Sequence, residues 1–281
     1  VLIIRTFFLI MKIAIQGILG SYHDEVAKLR FGDDSNIIEC LSFDTLVDSV
    51  ENEVADIGIM AIENSIAGSI IPNYSLIDNY DLSIIGEYYI SINHQLMALP
   101  GIDFSSIETI SSHPMALLQC KDFLKTTDKT IIESKDTAEV ARMISDEKTS
   151  TMAAIASPKA AEIYGLDILM SNIQTISNNE TRFVFISKNE NKNYEDLNKA
   201  SLKIILSHES GSLAKILNIF NDYNINLTKV QSIPVIKTPW KYSFFIDLTF
   251  NKSDAFIKAI ELVKRNSEFL KIFGIYKSFK K

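Results

Sequence analysis

Three short polar clusters carry residue types that do chemistry, and each stands where a polar stretch meets an apolar run. Thr181-Arg182-Phe183 follows Asn178-Asn179-Glu180 and leads into Val184-Phe185-Ile186. It sets a hydroxyl, a fixed cation and an aromatic ring at the mouth of a buried strand. Glu63-Asn64-Ser65 ends an apolar run with a carboxylate, an amide and a hydroxyl. Ser112-His113-Pro114 adds a hydroxyl and an imidazole ahead of a segment that carries Gln119 and Cys120. Loops beside rigid strands are where folds place functional groups. Together the three clusters describe one pocket built from distant parts of the chain.

Each cluster also has a structural reading. Glu63 can act as an acid or base, while Asn64 and Ser65 equally suit a helix N-cap. Pro114 marks a helix start, which makes His113 a cap candidate. With no evident acid to orient His113 and no Gly-x-Ser-x-Gly elbow, a Ser-His hydrolase is disfavoured. Arg182 can bind a carboxylate through two parallel bonds, or close a salt bridge at a strand edge. Gly17 to Ser21 lies between a strand and a helix, so it suits either an anion at the helix N-terminus or a plain turn. Tyr22, Tyr74 and Tyr89 read as amphipathic core edges. No P-loop, nucleotide fingerprint or metal-ligand cluster occurs, so the chemistry is expected to run without cofactor or metal.

The elements that must position these groups follow from the pattern. The 281 residues exceed one compact core, so two folding units are expected. Hydrophobic residues at 47% and charged residues at 22% are ordinary for a soluble globular protein. A net charge of -7 argues against general nucleic-acid binding, which needs a basic face. The two cysteines, Cys40 and Cys120, are too few for a disulfide framework and read as buried thiols of a cytoplasmic protein. Residues 1–10 are too short to span a bilayer, which takes about 20 residues, and make a poor signal peptide. They read as an extension ahead of a natural start at Met11-Lys12.

Up to about residue 187, short apolar runs alternate with amphipathic segments. Strands are expected at 13–16, 37–38, 57–61, 82–85, 90–99, 107–110, 130–132, 152–156 and 182–187. Ser21 and Asp136 open capping boxes, and Phe43, Leu46, Val47 and Val50 share one helical face. This alternation predicts a largely parallel sheet with helices on both faces, and such sheets bind ligands beyond the carboxyl ends of their strands. Residues 189–199 are polar and read as a linker. From 200 the order becomes β-α-β-β-α-β, the ferredoxin-like unit.

In this order the motifs resemble those of the prephenate dehydratase family, over nearly the whole chain from Met11. Ala61-Ile62-Glu63-Asn64-Ser65 is similar to the family's Pro-Ile-Glu-Asn-Ser, with Ala for Pro. Residues 112–120 are similar to Ser-His-Pro-Gln-Ala-Leu-x-Gln-Cys, with Met115 for the first Gln. Gly17 to Ser21 matches the family's Gly-rich opening, and Thr181-Arg182-Phe183 matches unchanged. The C-terminal part resembles an ACT regulatory domain through Gly211-Ser212-Leu213, Asn226 to Pro234 and Pro239-Trp240-Lys241-Tyr242. There Gln231 and Ile233 replace Glu and Arg.

The resemblance implies an α/β protein with a catalytic domain at 11–188 and an ACT domain at 200–281. The catalytic domain would have two lobes like type II periplasmic binding proteins, lobe 1 at about 11–88 plus 168–188 and lobe 2 at about 89–167. It implies decarboxylating dehydration of prephenate to phenylpyruvate, with Thr181 and Glu63 as catalytic groups. Asn64, Ser65, Ser112 and Gln119 would contact substrate, as would Arg182, Phe183 and the amides of Gly20 and Ser21. L-phenylalanine would inhibit by binding at Gly211, Ser212, Leu213, Asn226, Leu227, Gln231 and Ser232, at the ACT interface of a homodimer or homotetramer. Arogenate dehydratase is the nearest alternative activity, and a non-enzymatic ligand sensor the alternative of another class.

Overall fold

The computed structural model describes residues 11–80, 82–189, 196–235, 238 and 241–278. Residues 1–10, most of the linker, the pair Pro239-Trp240 and the last three residues lie outside them. The chain forms two compact units, 1–68 with 89–183 and 69–88 with 184–281.

In chain order the elements begin with β1 (Lys12–Gln16), α1 (Tyr22–Phe31), β2 (Asn36–Cys40), α2 (Phe43–Glu51) and β3 (Ile57–Asn64). Then come β4 (Gly68–Ser69), α3 (Ile71–Asn79), β5 (Ser83–Ser91) and β6 (Gln95–Ala98). They continue with β7 (Thr109–Ser112), α4 (Pro114–Gln119), α5 (Lys121–Leu124), β8 (Thr130–Glu133) and α6 (Thr137–Glu147). β9 (Met152–Ala156), α7 (Pro158–Tyr164), β10 (Asp167–Met170) and β11 (Glu180–Ser187) follow. One sheet has the order β2-β1-β3-β11-β5 with β4 beside β3, and a second has the order β10-β6-β9-β7-β8. The unit boundary falls inside β5 and β11.

Local signals explain the helices. Ser42 and Thr45 close a reciprocal capping box at α2, whose Leu46, Val47 and Val50 are buried. Asp136 Oδ1 accepts from the amides of Ala138 and Glu139 to start α6. In the second sheet the period of two puts helices on both faces. Met97, Ala154 and Ala156 share a core with α6 and α7, while Leu96, Ala98, Ala153 and Ile155 share one with α4.

Two expectations need correction. The second sheet is mixed, since β7 runs parallel to β8 and β9 while β6 is antiparallel to β9 and β10. Residues 69–88 cluster with the C-terminal part rather than with the first lobe. Tyr74 packs edge-on against Phe245 at 5.3 Å, Lys203 pairs with Asp78, and Lys199 Nζ lies 2.8 Å from Glu87 in a fully buried pair.

The C-terminal part has β12 (Lys199–Ile205), α8 (Ser212–Asp222), β13 (Asn226–Pro234), β14 (Tyr242–Thr249), α9 (Ser253–Arg265) and β15 (Phe269–Tyr276). This is the βαββαβ order, with the sheet arranged β13-β14-β12-β15. Leu202, Ile204, Phe220, Leu248, Phe256 and Val263 anchor its core.

Candidate active site

β3 ends where β11 begins, and the two ends are fastened together. Ser65 N donates to Glu180 O at 2.8 Å, and Glu180 N donates to Ser65 Oγ at 2.9 Å. This join sets Asn64 against Thr181. Asn64 Oδ1 accepts from the backbone amides of Ile66 and Ala67, both at 2.9 Å. Backbone amides are donors only, so they fix which end of the Asn64 side chain is oxygen. Asn64 Nδ2 must therefore face the other way. It donates to Thr181 Oγ1 at 2.9 Å and to Asn179 Oδ1 at 2.7 Å, with Glu180 O at 3.3 Å. Thr181 Oγ1 is thus an acceptor toward Asn64. Among the described residues it makes no other hydrogen bond, so its own proton remains to be donated.

The polar array extends beyond the predicted residues. Asn179 Nδ2 donates to Gln119 Oε1 at 3.0 Å, and His94 Nε2 lies 2.8 Å from the same oxygen. Gln119 ends α4, held there by the Thr175 amide on its carbonyl. His94 Nδ1 lies 3.3 Å from Tyr22 OH, which donates to Asn93 O at 2.9 Å. Burial lowers the His94 pKa against the opposing pull of its bond to Gln119, and burial first of all raises Tyr22 well above its ordinary value. His94 and Asn179 were not named as site residues from sequence. The signal for His94 was Asn93-His94-Gln95, three polar residues inside an otherwise apolar run.

Other predicted residues lie elsewhere. Side chains alternate along a strand, so Glu63 and Arg182 point to the opposite face from Asn64 and Thr181. There Arg182 Nη1 sits 3.9 Å from Glu63 Oε2, Arg182 being buried and Glu63 about a third exposed. That placement sets Glu63 and Arg182 on the face of the strands away from the Thr181 hydroxyl. Phe183 is 1% exposed and packs edge-on against His23 at 4.9 Å, as core. Ser112 is fully buried and donates to Ile155 O at 2.6 Å. His113 caps α4, its Nδ1 accepting from Met115 N at 3.2 Å.

The Gly17–Ser21 loop is not an open anion cradle. Gly17 N donates to Cys40 O, Leu19 N to Glu39 Oε1, Gly20 N to Asp24 Oδ2 and Ser21 N to Ile18 O. The loop instead ties the two sheets of its unit together. Ser157 Oγ donates to Gly20 O at 2.6 Å and Tyr164 OH to Leu19 O at 2.7 Å. At Gly20, φ is +85° and a Cβ would stand 3.0 Å from Ala160 Cα, so both conformation and space require glycine. Cys40 and Cys120 are buried free thiols, and burial pushes Cys120 up to about 12. Among the described residues no three His, Cys, Asp or Glu side chains are grouped to hold a metal ion, and no helix is long and apolar enough to cross a membrane.

In the C-terminal part the predicted effector residues fall at two ends of one sheet. Gly211, Ser212 and Leu213 open α8, which follows the Ile205 end of β12. Asn226 and Leu227 open β13, where Asn226 pairs with Thr249 and Thr249 with Lys199, at the far end of β12. Gln231 and Ser232 lie further along β13, with the Gln231 amide bonded to Ser232 O. At about 3.3 Å per residue, Asn226 and the Ile205 end are separated by roughly 20 Å, too far for one amino acid to touch both in one chain.

Comparison with known proteins gives the family. A family model described as prephenate dehydratase matches residues 13–191, and an ACT domain model matches 200–255. The bifunctional chorismate mutase/prephenate dehydratase of Buchnera aphidicola is 37% identical over 245 residues, 86% of this chain and 64% of that protein's length. The chloroplastic arogenate dehydratase/prephenate dehydratase 2 of Arabidopsis thaliana is 32% identical, covering 95% of this chain and 72% of its own. Among solved structures, the prephenate dehydratase of Arthrobacter aurescens in complex with L-Phe has a TM-score of 0.85 at 25% identity, covering 95% of this chain and 90% of its own. GqqA, described as a novel type of quorum quenching acylase, has a TM-score of 0.86 at 25% identity, covering 95% and 98%. The matched family model spans well over half of the residues, and the relatives agree with it: the chain belongs to the prephenate dehydratase family, with an ACT domain behind the dehydratase domain.

Proposed function

We propose that this protein converts prephenate to phenylpyruvate, water and carbon dioxide. One observation carries the reading: Asn64, its oxygen pinned by two backbone amides, presents its nitrogen to Thr181 and leaves the threonine proton free. Prephenate holds a ring hydroxyl and a ring carboxylate whose joint loss makes an aromatic ring. Aromatisation supplies the driving force, so the protein's task is to orient the ring and assist the departing hydroxyl. Thr181 donates a hydrogen bond to that oxygen as charge develops on it, and solvent supplies the proton that completes water. Asn64 sharpens the donor by hydrogen-bonding to its oxygen. Gln119, whose Oε1 is taken by His94 and Asn179, directs its amide nitrogen to the substrate. The hydrolytic alternative finds no activated nucleophile at Ser112, whose proton is held by Ile155 O.

In the same reading L-phenylalanine inhibits through the ACT domain. Because the two groups of effector residues are about 20 Å apart, a site using both takes one group from each of two copies, consistent with a homodimer or homotetramer. The test is phenylpyruvate formation by the purified protein, given prephenate or arogenate separately, with and without L-phenylalanine. Turnover of prephenate supports the assignment. Turnover of arogenate alone moves it to arogenate dehydratase, and turnover of neither by folded protein moves it to a ligand sensor.

A further inference from the structure

The structure assigns to His94 a positioning role: it closes a polarised hydrogen-bond chain that starts at Asn64, itself pinned by the Ile66 and Ala67 amides, and so holds the amide planes of Asn179 and Gln119 beside the Thr181 hydroxyl. This rests on the dehydratase reading for its kinetic consequence but not for its geometry. The chain has a direction that can be deduced link by link. The amides of Ile66 and Ala67 require Asn64 Oδ1 to accept, so Asn64 Nδ2 donates to Asn179 Oδ1. Asn179 therefore turns its nitrogen to Gln119, whose oxygen is forced to face it. That oxygen lies 2.8 Å from His94 Nε2, so Nε2 must carry the hydrogen. His94 Nδ1 then carries no hydrogen; Tyr22 OH stands 3.3 Å away with its single proton on Asn93 O at 2.9 Å.

Without His94, Gln119 keeps a single bond on its oxygen and loses the contact that holds its amide plane from behind. His94 is itself fixed, 2% exposed, with its amide bonded to Gln174 Oε1 and its ring edge-on to Tyr22 at 5.8 Å. No bond reaches from His94 to Thr181, Asn64 or the space in front of them, so it acts through other residues.

The experiment has two arms on the full chain. In the first, long-range proton–nitrogen NMR of the histidine rings at neutral pH reads the tautomer of His94, assigned by comparison with His94→Gln. A neutral ring protonated on Nε2 is expected, and one protonated on Nδ1 overturns the chain direction. In the second, kcat and KM for prephenate are compared for wild type, His94→Gln and His94→Leu. Glutamine places its amide nitrogen near the position of Nε2 and keeps the donor, whereas leucine removes it. Loss of positioning costs about tenfold to hundredfold in kcat for His94→Leu, with KM changed far less and most of the loss recovered in His94→Gln. Equal kcat in all three overturns the role, as does a His94→Gln protein no better than a folded His94→Leu. If wild type fails to turn over prephenate while the Nε2 tautomer is seen, the dehydratase reading falls and the chain stands.

Discussion

Replacing Asn64 by aspartate changes no volume and reverses the site's polarity. The asparagine donates two hydrogens, to Thr181 and Asn179, and accepts two from Ile66 and Ala67. An ionised aspartate accepts only. The backbone amides keep one oxygen, and the other comes to lie where Nδ2 stood, 2.9 Å from Thr181 Oγ1. The threonine proton then turns to the carboxylate. A hydrogen bond to a charged group contributes about 1.5–3 kcal/mol, and it must be given up before Thr181 can assist the leaving hydroxyl. At about 1.4 kcal/mol per decade, kcat for Asn64→Asp should fall roughly 10- to 150-fold at neutral pH. Steady-state kinetics at neutral pH read the effect. A kcat within twofold of wild type at neutral pH, in folded protein, would refute the polarity argument.

Other perturbations follow from the same geometry. His23 is held neutral by burial, with a pKa lowered to about 3, and accepts from Ala61 N. The unfolded chain binds a proton near pH 6.5 that the folded one refuses, so its stability contribution is present above 6.5 and lost toward pH 3, at about 1.4 kcal/mol per pH unit; His23→Gln should flatten that slope in urea titrations. Gly20→Ala must place a side chain at φ +85° against Ala160, which should cost about 1–3 kcal/mol, seen as a lower Tm. Lys199→Met removes an ammonium 2.8 Å from the buried Glu87 carboxylate, with an expected loss of about 3–5 kcal/mol that Lys199→Met with Glu87→Leu should largely restore. Asn226→Ala should weaken L-phenylalanine binding in calorimetry, and unchanged binding would remove Asn226 from the effector site.

The polar array of the candidate site was legible in part because polar residues at the ends of apolar runs are conspicuous. Thr181, Asn64 and Gln119 stood out in this way, and the structure joins them through Asn179. What the residues alone did not reveal was which way each side chain turns. Glu63 and Arg182 are neighbours of Asn64 and Thr181 in sequence but face away from them, because a strand reverses direction at every residue. The Gly17–Ser21 loop has the composition of an anion site, yet its amides bond to Cys40, Glu39, Asp24 and Ile18. Those partners are tertiary and leave no local trace. The βαββαβ order from Lys199 was readable because each run had its own period. The short strand β10 was missed because four residues after a helix carry too little pattern, and only pairing with β6 defines it.

The central claim is that the Thr181 hydroxyl assists the departing hydroxyl of prephenate. The most direct measurement is kcat for phenylpyruvate formation by wild type, Thr181→Ser and Thr181→Val, each checked for a native fold. Serine, which keeps the donor, should retain most of the turnover, and valine, which keeps the shape, should lose about 10²- to 10⁴-fold. A folded Thr181→Val protein turning over within tenfold of wild type would contradict it.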